Sequence, residues 1–87
     1  MSTVDLAVEQ QDDQLVVQWS DARASGSCRF DHLPGTVPEW LASADELLEG
    51  ADRRQEERIL AAIAVWAARE GLTLGIWHDG GDVELLG

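Results

Sequence analysis

"PEWLASADELLEGAD", residues 38–52, decides how this chain is read. Trp40, Leu41, Ala44, Leu47 and Leu48 recur at helical spacing and would form one apolar stripe. Thr36 and Glu39 have the spacing of a capping box, and Pro38 suits a first helical turn. Gly50 suits the position just past a helix end. The pattern predicts a first helix running to about Leu48 or Glu49. The same stretch holds five carboxylates, Glu39, Asp45, Glu46, Glu49 and Asp52, and no base.

Downstream, "RRQEERILAAIAVWAARE" (53–70) predicts a second helix, with Ile59, Ile63 and Trp66 on one side and Leu60 and Ala67 widening the stripe. Asp52 with Gln55 forms a second capping pair, and Gly71 ends the helix. "LTLGIW" (72–77) reads as a strand with Leu72, Leu74 and Ile76 on one face. "HDGGD" supplies a tight turn, and "VELL" returns. Upstream, Val4, Leu6 and Val8 alternate with Asp5, Ala7 and Glu9 in "TVDLAVEQ". The turn "QDD" follows, and then Leu15, Val17 and Trp19 share a face. "SDARASG" is a second turn, "SCRF" a third strand with Cys28 and Phe30 facing alike, and "DHLPGTVP" a loop. The expected fold is α+β: an antiparallel sheet of about five strands in βββ-αα-ββ order, with two helices packed on one face. Residues 1–87 form one compact domain on this reading.

Hydrophobic content of 45% with four Trp is a folding composition rather than that of an acidic tail. No apolar run has membrane-spanning length, and "MSTVDLAVEQ" lacks the basic start and apolar core of a signal peptide. The expected location is cytoplasmic, in the host-cell cytoplasm if the chain is phage-encoded. Cys28 is the only cysteine, which excludes an internal disulfide and a cysteine zinc cluster. A core thiol in a reducing compartment is the plain reading.

Enzyme-like motifs are weak. His78, Asp79 and Asp82 lie close together, but Gly80 and Gly81 are explained by the turn, and metal sites need more donors at fixed spacing. Cys28 and His32 are four apart on a strand-to-loop segment, which does not bring them together. No glycine loop cradles phosphate. The expectation is a non-enzyme with no catalytic residue, metal or cofactor.

Charge is the stronger signal. The net charge is −11, and all six bases are Arg, with no Lys. A GC-rich genome or a halophilic background would also deplete lysine or enrich acid. The acid is uneven, however: residues 1–21 and 39–52 each hold five acids and no opposing base, while the second helix is nearly neutral. Direct nucleic-acid binding is opposed, because it needs a basic patch to displace counterions. Asp45 and Glu49 at helical i, i+4 spacing would stand about 6 Å apart along the axis. Asp52 would extend that row. Such a row can occupy a groove built for a nucleic-acid backbone, and the large charge would speed encounter with a basic partner. Trp77 should face away from Leu74 and Ile76, onto an open sheet surface with Val16. The candidate partner-binding residues are Asp12, Asp13, Asp45, Glu46, Glu49, Asp52, Trp40 and Trp77.

"LVVQWSDARAS" (15–25) resembles the strand-turn-strand of the small N-terminal domain in gamma-butyrobetaine-hydroxylase-like proteins. The cysteine cluster that follows in that family is absent here, so no residue role is carried over. In size and charge the chain resembles the small acidic inhibitors made by phages, including anti-CRISPR and uracil-glycosylase-inhibitor proteins. The expected function is inhibition of this anti-defence kind: occupying the groove of a basic, nucleic-acid-binding protein by carboxylate mimicry of phosphates. Two alternatives use the same features. One is an immunity protein or antitoxin neutralising a basic toxin or nuclease. The other is a dimeric accessory module, a homodimer whose acidity only solvates.

Overall fold

The computed structural model describes residues 4–86. Thr3, placed by the sequence reading in the first strand, lies outside them. The elements are β1 (Asp5–Gln11), β2 (Gln14–Ser20), β3 (Ser25–His32), β4 (Trp40–Ser43), α1 (Ala44–Leu47), α2 (Arg53–Glu70), β5 (Leu74–Trp77) and β6 (Val83–Leu86). The strands form one six-stranded sheet in the order β1-β2-β3-β4-β5-β6. All neighbours are antiparallel except β4 and β5, which are parallel. The fold is α+β.

The first-helix expectation is corrected here. Residues 40–43 are a strand, and only Ala44–Leu47 turn into a helix. Within "WLAS", Trp40 and Ala42 are buried while Leu41 and Ser43 are less so, a period of two. The helical stripe hid that short alternation. Pairing decides the outcome: β4 sits between β3 and β5, and without it both would present bare edges inside the sheet. The expected capping box at Thr36 does not form. The Thr36 hydroxyl bonds to the carbonyls of Leu33 (2.8 Å) and Pro38 (2.9 Å), and the Glu39 N–H donates to Thr73 Oγ1 at 2.8 Å.

The second helix forms as its signals require. Asp52 Oδ1 accepts from the Gln55 N–H at 2.9 Å, and Gln55 Oε1 accepts from the Asp52 N–H at 3.0 Å. Gly71 closes the helix in the left-handed conformation, with φ 70°. Ile59, Ile63 and Ala67 of α2 are fully buried against the sheet. Each Ile contributes roughly 1.5–3 kcal/mol by leaving water.

One sheet face carries the core: Leu15, Val17, Trp19, Cys28, Phe30, Trp40, Leu74 and Ile76 point to it and are buried. Trp19 lies over Gly26, where an added Cβ would stand 2.8 Å from Nε1. From there the indole donates to the Leu47 carbonyl at 3.0 Å, tying α1 to the sheet. The molecule is 19 Å in its shortest extent. That is about one sheet plus one helix layer, at ~10 Å between layers. Among the described residues, the other sheet face therefore has no covering layer.

Candidate interaction surface

The sheet has two ends, and the candidate acids divide between them. Asp12 and Asp13 form the β1–β2 turn, where the Asp13 carbonyl accepts from the His32 N–H at 3.0 Å. Asp12 adopts φ 46°, a conformation that Asp tolerates better than most residues. The opposite end holds the β2–β3 turn, α1 and the β5–β6 turn. Asp12 and Asp13 therefore do not join Asp45, Glu46, Glu49 and Asp52 in one surface.

At the α1 end the charges separate again. Asp45 and Glu49 share a concavity of about 340 Å³ with Glu56 of α2 and His78, and no Arg lines it. Helix α1 stops at Leu47, so Asp45 and Glu49 are not a continuous helical row. Chain reversal at Gly50, with φ 79°, brings them together with Glu56 instead. The His78 ring meets Glu84 Oε1 at 3.3 Å, so a further carboxylate from β6 adjoins this site. Asp79 and Asp82 stand exposed in the neighbouring turn. Asp52 lies on the other side, around a concavity it shares with Asp21, Arg23, Arg54 and Arg58. Its carboxylate is committed to capping α2, and its surroundings are of mixed sign.

Asp21 knits that second region together. Its carboxylate accepts from the N–H groups of Arg23 (2.7 Å) and Ala24 (2.8 Å), and Oδ2 accepts from Gln55 Nε2 at 3.1 Å. These bonds, the Arg23 N–H foremost, hold its pKa below the ordinary carboxylate value. Glu46 is exposed on α1. Burial pushes the Cys28 thiol up to about 12, with the Glu46 charge adding to the effect. A thiol so protonated is a core filler and a poor nucleophile.

The tryptophans also separate. Trp40 is 3% exposed and stacks on His32, with ring centroids 4.3 Å apart. It is part of the core and cannot anchor a partner, which corrects its place among the candidates. Its strand, β4, is the element the helical reading missed. Trp77 is 43% exposed and lies on the open face, as the alternation in β5 implied. Val83 is its cross-strand partner, and Leu85 pairs with Gly75. Leu41 flanks Gly75 on the other side. Pro38 covers Gly75, where an added Cβ would lie 2.5 Å from the proline Cγ. Val83 (49%) and Leu85 (59%) remain exposed. The result is an apolar patch without a charged side chain on the β5–β6 half of the open face.

Sequence reasoning missed Glu56, His78, Val83 and Leu85 as members of these surfaces. Alternation along β5 carried a signal for His78: it follows Trp77 and must point to the other face. Nothing local placed Glu56 beside it. Among the described residues, no three His, Cys, Asp or Glu side chains come together to hold a metal, and no helix is long and apolar enough to cross a membrane. No protein family model, curated protein or solved structure matches this chain.

Proposed function

We propose that this chain is a non-catalytic binding protein that inhibits a nucleic-acid-handling partner. Its acidic concavity occupies a basic surface on that partner, with carboxylates standing where phosphates would. One observation carries the reading: Asp45, Glu49 and Glu56 converge from α1, the following turn and α2 on a site that no Arg lines. Carboxylates grouped around one concavity with no Arg among them make a local negative potential that a basic partner would complement. The neighbouring concavity at the same end differs: Asp21 and Asp52 share it with Arg23, Arg54 and Arg58. Inhibition of the phage anti-defence kind fits this physics, and so does neutralisation of a basic nuclease.

The test is affinity capture from bacterial lysate at low salt, stepwise salt elution and quantitative mass spectrometry. Asp45→Lys/Glu49→Lys is compared with Asp12→Lys/Asp13→Lys, which changes net charge equally at the far end. The expected result is a basic nucleic-acid-binding protein, released by salt, lost with the first variant and retained with the second. Purified wild-type chain should then displace nucleic acid from that protein. Equal capture by both variants would overturn the proposal.

A further inference from the structure

Strands β1 and β6 are both sheet edges, and they are defended differently. On the open face β1 presents Asp5, Ala7, Glu9 and Gln11, and its charges discourage pairing with another strand. On the same face β6 presents Val83 and Leu85, both well exposed and next to Trp77. The His78 N–H donates to the Asp82 carbonyl at 2.7 Å, which makes residues 78 and 82 a hydrogen-bonded pair. Alternation along an antiparallel ladder then turns Glu84 and Leu86 toward β5. The N–H and C=O groups of Val83 and Leu85 consequently point outward along the free edge.

The other face of β6 has the opposite chemistry. Glu84 points there, bonded to His78, and His78 lines the concavity with Asp45, Glu49 and Glu56. An added strand would thus meet apolar side chains on one face and carboxylates on the other. Successive residues of a strand alternate between those faces. We infer that the β6 edge takes an extended segment of a partner protein as a seventh strand, with apolar and basic residues alternating along that segment. Main-chain bonds to Val83 and Leu85 would supply affinity, and the two faces would supply selection for that alternation. The inference relies on the proposed function only for the sign of the partner's charge.

The probes are three short synthetic peptides: one alternating Val and Lys, one of the same composition with Val and Lys in separate blocks, and one alternating Val and Glu. Binding is read by Trp77-dependent fluorescence and by hydrogen exchange at the Val83 and Leu85 amides. The expected result is that the alternating Val–Lys peptide binds most tightly and protects both amides. Leu85→Pro removes an outward N–H without breaking a bond to β5, and should weaken binding by about tenfold or more. If that variant does not fold, amide protection in the wild type still decides. Equal binding of the alternating and blocked Val–Lys peptides would overturn the inference, because charge alone would then suffice. Protection of β1 instead of β6 would also overturn it, as would a peptide-free dimer protecting the same two amides, since a second copy would then be the occupant. No binding by any of the three peptides would also overturn the inference, while leaving the acidic concavity to its own test with Asp45→Lys/Glu49→Lys.

Discussion

Gly26→Ala should be among the most damaging single-methyl additions in this molecule. The new Cβ would stand 2.8 Å from Trp19 Nε1 and 2.9 Å from Cε2 and Cζ2. Comfortable contact begins at about 3.5 Å, so the indole must retreat by roughly 0.6–0.7 Å. It has no free direction: Trp19 is 1% exposed, and its N–H is bonded to the Leu47 carbonyl. Overpacking costs about 1–3 kcal/mol, and leaving the Leu47 carbonyl unpaired costs about 1–3 kcal/mol more. Reduced freedom of the unfolded chain returns about 0.5–1 kcal/mol. The net expectation is a loss of about 1–5 kcal/mol, centred near 3, seen in urea as a midpoint lowered by about 2 M or more. Trp19→Phe removes the three crowded atoms, so Gly26→Ala should cost at most about 1 kcal/mol in that background. Additive costs in the four-protein cycle would refute the reasoning. Because the same hydrogen bond positions α1, Gly26→Ala should also weaken target capture through Asp45.

Three further outcomes follow from individual side chains. Asp52→Ala should lower stability by about 1 kcal/mol and Asp52→Ser should restore most of it, with target affinity unchanged in both, as measured by urea titration and capture. Asp21 has a depressed folded-state pKa, so its contribution is present above the unfolded value of 3.8 and is lost as pH falls through the lower folded value. Asp21→Asn should therefore lose less stability than wild type on acidification across that window, as read by denaturation at neutral and acid pH. Cys28, buried with its thiol pushed up to about 12, should resist a thiol reagent in the native state and label only as the chain opens. Native labelling at the rate of a free thiol would contradict its placement.

Much of the architecture was legible because its signals are local. The capping pair at Asp52 and Gln55, the α2 stripe and the turn glycines each depend on residues a few positions apart. The β4 strand was not legible, since four residues give a weak alternation and Trp40, Leu41, Ala44 and Leu47 satisfy a helix equally well. Its partners, Asp31 and His32 on one side and residues 74–77 on the other, come from distant parts of the chain. The site shows the same division. Trp77 was found by alternation within one strand, while the meeting of Glu56 with Asp45 and His78 depends on how α2 crosses the sheet.

Where the acid is missing bears on why it is present. Exposed apolar surface on a soluble domain is a liability unless something covers it. Here the open face of β5 and β6 presents Trp77, Val83 and Leu85 with no acid among them. Asp45, Glu49 and Glu56 line a concavity with His78 on the opposite side of the same two strands, and Glu84 adjoins it through His78. Trp77 and His78 are consecutive and point to opposite faces, so the apolar patch and the acidic concavity share one sheet edge. A partner that wraps the β6 edge would contact both surfaces at once. Its salt dependence would then level off at high ionic strength, where the carboxylates are screened and the apolar contacts and strand bonds remain.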